Sequence, residues 1–275
     1  PLVNHAGAET LPPGSIFKII TTAAGLNNGF NPSSTLTGSN VITLPDTVTE
    51  LTNYANQKCN GQDAVTLQTA FALSCNTAFV EMSEQLGADE LRKYAKAFGV
   101  GENYDLGVST SAGTLGDLPD GAATAQSAIG QRDVTMTALQ AAVMAGTVAN
   151  KGTRMQPYLV NRITDAQMKD IRTTKPKKAD QAVNEETAAT LTDLMYASER
   201  SSAGYDGNGF ASKTGTAEHG EGLAPHVWYV AFDPERDIAV GVVVKNGGNL
   251  GESATGGKVS GPIGRAILRA YQGEQ

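Results

Sequence analysis

Apolar and polar positions divide the chain into stretches of different period. Between residues 15 and 27, Ile16, Phe17, Ile19, Ile20, Ala23, Ala24 and Leu26 make the chain apolar nearly all round, bounded by Pro12-Pro13-Gly14 and Asn27-Asn28-Gly29. This predicts a buried helix, opened by the prolines and closed by the Asn-Gly cluster. Residues 31 to 62 are rich in Asn, Thr, Ser and Gly and read as a long irregular excursion. Helical spacing resumes over 65 to 86, broken near Ser74-Cys75-Asn76, and further helices are predicted over 91 to 98, 136 to 148 and 185 to 198. The last third changes period. Residues 210 to 217, 227 to 232 and 238 to 245 are short β-rich runs, and Asp233-Pro234-Glu235-Arg236-Asp237 reads as the turn of a hairpin between the last two. A helix over about 259 to 271 can lie across the antiparallel sheet that results. The fold class is therefore α/β in the α+β sense, a helical region followed by an antiparallel α/β region, with the cleft between them.

Composition narrows the classes of function. The chain has 275 residues, 40% of them hydrophobic, enough for a substantial core. Acids outnumber bases 28 to 21, and no basic cluster interleaved with aromatics occurs, so a nucleic-acid partner is not expected. The longest apolar runs, such as Ile238–Val244, are far shorter than the roughly 20 residues of a spanning helix. Pro1 and Leu2 open the chain without the marks of a signal peptide, as an interior point of a longer protein would. There is no internal repeat. Cys59 and Cys75 have no Cys or His neighbours at metal-ligand spacing, so no metal and no cofactor is expected. On spacing alone they fit buried free thiols as well as a disulfide.

Three short patterns carry chemistry. Ser15-Ile16-Phe17-Lys18 puts a hydroxyl and an amine three positions apart, on one face of a first helical turn. A lysine desolvated inside an apolar helix favours its neutral form and can take the serine proton. The bland account is a capping serine with a lysine reaching to water. Ser74-Cys75-Asn76 lies at a helix break, where a cap is the plain alternative. Lys213-Thr214-Gly215-Thr216 lies in a predicted strand, where Gly215 would let substrate backbone lie close, Lys213 supplies charge and the hydroxyls can hold a carboxylate. An exposed strand lysine beside a glycine bulge is its plain alternative. The three in this order are not explained by three separate accidents.

Ordered S-x-x-K, S-x-N and K-T-G triplets are the signature of penicillin-binding proteins and serine β-lactamases. With Pro12-Pro13-Gly14-Ser15, Ser74-Cys75-Asn76-Thr77-Ala78-Phe79, Ser127-Ala128-Ile129-Gly130-Gln131 and Ala211 to His219, the whole chain resembles the transpeptidase domain of class B penicillin-binding proteins, nearest the actinobacterial A type. It departs from that pattern at Arg132, where Gly is common, and at Ala138, where Pro is common. The resemblance implies a penicillin-binding-protein-like fold, with about 22–145 as a mainly helical subdomain and 1–21 with 146–275 as the α/β subdomain.

The same resemblance implies site roles. Ser15 would attack the penultimate D-Ala carbonyl with Lys18 as base, and Ser74, linked to Lys213, would relay the proton to the leaving amine. Asn76 would hold the substrate amide, Thr214 and Thr216 the terminal carboxylate, and the backbone N–H groups of Ser15 and Thr216 the oxyanion. His5, His219 and His226 are expected in structural or surface positions. The implied partners are peptidoglycan stem peptides ending in D-Ala-D-Ala, β-lactam antibiotics and, for a full-length protein, cell-division or elongation proteins. The implied location is the extracytoplasmic face of the bacterial membrane. Disulfides persist there, so Cys59 and Cys75 are expected to be bonded. A class A β-lactamase would place E-x-x-L-N after S-x-N, and none occurs between Thr77 and Lys213. A β-lactam sensor would need an attached transducer, whereas a D,D-carboxypeptidase would use the same residues with water as acceptor.

Residues 238 to 244 are the most apolar and β-branched run and suit a central strand with both edges paired. No stretch before Ser15 is long enough to cover the second edge. The expectation is that further strands, a pedestal domain and a membrane anchor lie outside these 275 residues.

Overall fold

The turn signals fall where the chain turns, and the segments between them take the periods they show. The computed structural model describes residues 3–220 and 222–273; Pro1 and Leu2, which bear on how the chain opens, lie outside them. A short helix α1 (His5–Ala8) precedes a 3-10 turn (Gly14–Phe17) that runs directly into α2 (Lys18–Leu26). The helix predicted over 15 to 27 is thus present with a tightened first turn, a common form of helix start. The irregular excursion holds the three-residue strands β1 (Thr35–Thr37), β2 (Val41–Thr43) and β3 (Glu50–Thr52), and β4 (Ala64–Thr66) follows it. β1 pairs with β4 and β2 with β3, both antiparallel. Three residues are too few for an alternating period to register in sequence.

The break at Ser74 is real. α3 (Leu67–Leu73) ends on Ser74 in the left-handed region, φ 61°, and α4 (Asn76–Ala97) begins two residues on. α4 also takes in most of the helix predicted over 91 to 98, with a kink at Gly87 whose φ of 76° suits glycine. α5 (Gly121–Ala128), capped by Asp120, shows no apolar period because it is built from small residues. α6 (Ala138–Ala149) starts on a Thr137–Gln140 capping box, with Ala138 at the first helical position where proline is also well suited. Two small antiparallel pairs follow: β5 (Thr153–Met155) with β8 (Lys178–Gln181), and β6 (Arg162–Thr164) with β7 (Asp170–Thr173). Arg132 has φ 63°, a left-handed conformation that glycine adopts without strain.

The final third forms the main sheet. α7 (Glu185–Ser201) leads to β9 (Ala211–Ala217), β10 (His226–Asp233) and β11 (Ile238–Val244), and α8 (Ser260–Gly273) packs across them. The order is β11-β10-β9, antiparallel throughout, with Trp228 opposite Gly215 and Val243. β10, buried along its whole length, lies between β9 and β11. β11 is the outer strand among the described residues and is mostly half-buried. Helix α6 lies directly on it, since a Cβ at Gly241 would meet the Ala142 nitrogen at 2.6 Å. On one face of the sheet Trp228, Val230 and Phe232 join the main core with α2, α3 and α4; on the other, Phe210, Tyr229 and Ala231 pack with Leu268 of α8. Each large side chain so buried contributes about 2–3 kcal/mol.

Candidate active site

Glycine brings three backbone segments together around Ser15. A Cβ at Gly14, whose φ is +54°, would meet the Thr216 carbonyl oxygen at 2.7 Å, and one at Gly215 would meet the Pro13 carbonyl oxygen at 2.8 Å. β9 therefore lies backbone to backbone against the 3-10 turn. From the other side, the Gly14 N–H donates to the Gly130 carbonyl at 2.9 Å, and a side chain at Gly130, φ +75°, would overlap the Gly14 carbonyl. The Trp228 indole N–H donates to the Pro12 carbonyl at 2.8 Å, and Thr21 Oγ1 to the Ala128 carbonyl at 2.6 Å. The turn that presents Ser15 is thus clamped by β9, β10 and the end of α5. Gly215 admits this turn: the position its side chain would take is already filled by Pro13 and Ile16.

Lys18 is fully buried at the start of α2, and Ser15 is half-buried. Lys18 Nζ lies 3.1 Å from Ser15 Oγ, 2.8 Å from the Ser74 carbonyl oxygen, 3.3 Å from Ser74 Oγ and 2.7 Å from Asn76 Oδ1. Burial, and then the charge of Lys213, holds its pKa well below the ordinary lysine value. A neutral amine has two hydrogens and one lone pair. The two carbonyl-type oxygens take the hydrogens, which leaves the lone pair for the Ser15 hydroxyl to donate into.

Lys213 approaches Ser74 from β9. Its Nζ is 2.9 Å from Ser74 Oγ and 3.1 Å from the Thr214 carbonyl oxygen, and burial lowers its pKa to about 7. The Phe79 and Phe71 rings stand 5.3 and 5.7 Å from the two amines and form apolar walls. Asn76, expected to hold a substrate amide, is engaged at both ends: Oδ1 accepts from Lys18, and Nδ2 donates to the Thr52 carbonyl at 3.1 Å. One amide hydrogen and one lone pair remain for a ligand. Thr214 and Thr216 are half-exposed on β9.

Cys59 and Cys75 are joined, with Cα atoms 5.7 Å apart, inside the usual disulfide range. The bond ties the excursion to the residue after Ser74. The histidines stand apart from this cluster: His219 and His226 stack with centroids 3.9 Å apart, and His5 pairs with Glu9. Among the described residues no group of His, Cys, Asp and Glu could hold a metal ion.

The structure brings Ser15, Lys18, Ser74, Asn76 and Lys213 of the sequence reading into one cluster. That reading misses the supports, namely Gly130, Trp228 and a buried carboxylate, Glu199, that accepts from the hydroxyl of Ser212. Only Gly130 left a trace, in the Ser127 to Gln131 stretch.

A half-buried serine whose hydroxyl faces a desolvated lysine, with a second serine and lysine beside it, is the arrangement of an activated serine nucleophile with lysine in place of histidine. Comparison with known proteins shows the family. The profile of the penicillin binding protein transpeptidase domain matches residues 1–269, and the chain belongs to that family. It is 46% identical over 279 residues to the peptidoglycan D,D-transpeptidase PbpA of Mycolicibacterium smegmatis, covering 98% of this chain and 57% of that protein. It is 43% identical over 284 residues to PbpA of Mycobacterium tuberculosis, covering 100% and 58%. The penicillin G acyl-enzyme complex of M. tuberculosis penicillin-binding protein A superposes with a TM-score of 0.93 at 43% identity, over 99% of this chain and 63% of that one. The chain therefore spans a little under three fifths of the length of these curated relatives.

Proposed function

We propose that the chain is the acyl-transfer domain of a peptidoglycan D,D-transpeptidase acting at the extracytoplasmic face of the membrane. The observation that carries this is the buried Lys18 amine, its pKa held well below the ordinary lysine value, 3.1 Å from Ser15 Oγ. Ser15 Oγ attacks the penultimate D-Ala carbonyl as its proton passes to Lys18. The oxyanion that develops is met by the backbone N–H groups of Ser15 and Thr216, which the Gly14 and Gly215 contacts hold at one depth. When the C–N bond breaks, the proton goes from Lys18 through the Ser74 hydroxyl to the departing D-Ala nitrogen. Lys213 holds Ser74 in place for this relay. Thr214 and Thr216 receive the terminal carboxylate, and Asn76 orients Lys18 while offering its remaining amide hydrogen to the donor peptide. An amine of a second stem peptide then attacks the ester on Ser15, and the proton path runs in reverse.

β-Lactams would enter by the same first step and remain as the Ser15 ester, as penicillin G does in the related acyl-enzyme. The test is intact mass after incubation with benzylpenicillin, expected to give one adduct per chain and none in Ser15→Ala. Labelling of Ser15→Ala at the parent rate would remove Ser15 as nucleophile. With a thioester or depsipeptide donor, a D-amino acid acceptor should capture the acyl group in competition with water. Hydrolysis alone would make the domain a carboxypeptidase.

A further inference from the structure

Ser212 precedes Lys213 on β9, and strand alternation sends its side chain to the opposite face of the sheet. There its hydroxyl donates to Glu199 Oε2. Glu199 is fully buried near the end of α7. The same oxygen accepts from the Tyr229 hydroxyl at 3.0 Å, while Oε1 accepts from Arg265 Nε at 2.7 Å and Asn208 Nδ2 at 2.9 Å. Arg265 comes from α8, and its Nη1 also donates to the Ala203 carbonyl at 3.1 Å. Burial by itself would raise the Glu199 pKa, but hydrogen bonds from Arg265, Ser212 and Asn208 outweigh it and hold the group below the ordinary carboxylate value. An ionised carboxylate is therefore built into the core behind the catalytic strand.

Stability alone does not account for it. A buried ion pair gains little over well-packed apolar side chains, because desolvation consumes most of the attraction. What the carboxylate does provide is direction. Among the described residues β9 has a neighbouring strand on one edge only, where β10 pairs with it. Its position perpendicular to the sheet is set on one face by Gly215 against the 3-10 turn and on the other by Ser212 against Glu199. A charge-assisted hydrogen bond is short and oriented, and it acts one residue from Lys213.

We propose that Glu199, acting through Ser212, is a positioning residue that fixes Lys213 against Ser74 from behind the sheet. The claim rests on Lys213 being the partner of Ser74 in acyl transfer, and the experiment separates the two. Acylation by a fluorescent penicillin is measured per folded molecule in Ser212→Ala, Ser212→Thr, Ser212→Val and Lys213→Met, with melting curves for each. Ser212→Ala and Ser212→Val should acylate roughly tenfold to a hundredfold more slowly, the scale of loss from a misplaced catalytic group. Ser212→Thr, which keeps the hydroxyl in the volume of valine, should stay close to the parent. Parent-like acylation in folded Ser212→Ala, or equal rates in the threonine and valine variants, would overturn the proposal. If Lys213→Met itself acylates normally, the fault lies instead in the role given to Lys213.

Discussion

Replacing Lys213 by methionine should abolish acylation and stabilise the fold, by an amount that depends on pH. The folded-state pKa of Lys213 falls from 10.5 to about 7 because the amine is buried. Below pH 7 both states hold the proton, and the native state bears the whole cost of a charged amine in an apolar site. At about 1.4 kcal/mol per pH unit this is on the order of 5 kcal/mol. Between pH 7 and 10.5 the unfolded chain binds the proton and the native state does not, so stability rises with pH. At pH 9 the cost has fallen to about 2 kcal/mol.

Methionine of similar length removes that cost. It also leaves the Thr214 carbonyl without the Lys213 hydrogen bond of 3.1 Å, a loss of about 1–3 kcal/mol. Ser74 Oγ keeps Lys18 at 3.3 Å. The variant should therefore exceed the parent by roughly 2–4 kcal/mol at pH 6 and come close to it at pH 9. Urea unfolding at pH 6, 7, 8 and 9, followed by the fluorescence of the single tryptophan, buried Trp228, gives the difference directly. A gap of the same size at pH 6 and pH 9 would show that burial does not neutralise Lys213, and the relay assigned to it would lose its basis.

Two other substitutions test the supports of the site. Gly130→Ala combines a left-handed backbone with overlap of the Gly14 carbonyl, and should cost about 2–4 kcal/mol and slow β-lactam acylation of the molecules that still fold, as read by melting and by stopped-flow labelling. Removing the disulfide through paired Cys59→Ser and Cys75→Ser should lower stability by about 3 kcal/mol and slow acylation by loosening the Ser74 turn. Unchanged acylation would confine the bond to a role in stability.

Residues whose chemistry is local were legible in the sequence. Lys18 lies one turn from Ser15, and that spacing alone predicts their contact, observed at 3.1 Å. The buried helix and the hairpin were legible for the same reason, because seven or more residues establish a period. The three-residue strands of the excursion were not, and neither was α5, whose alanines and glycine carry little apolar contrast. That β10 lies between β9 and β11 was not legible from its composition, since it carries His226 and Asp233; its aromatic side chains reach both cores. Glu199 was invisible for a different reason: a glutamate near the end of a helix reads as surface, and only the fold brings Ser212, Tyr229 and Arg265 to it.

The site is costly to hold, and the placement of its supports follows from those costs. Two lysines are desolvated within reach of one serine, and that serine occupies a left-handed conformation that costs a non-glycine residue about 1–2 kcal/mol. The left-handed Ser74 is a common form of helix end, with the Cys75 N–H donated to the Ala70 carbonyl at 2.9 Å, and it presents the Ser74 hydroxyl to both amines. Two further links hold this turn: the disulfide at Cys75 and the Asn76 amide between Lys18 and Thr52. The turn bearing Ser15 is clamped in the same way by Gly130, Gly215 and Trp228. Strain is thus concentrated on Ser74 and the two buried lysines, the residues to which we assign proton transfer, while the restraint comes from their neighbours. The fold can therefore keep Lys18 neutral and aligned before any ligand arrives, which is the condition under which a serine of ordinary basicity becomes a nucleophile.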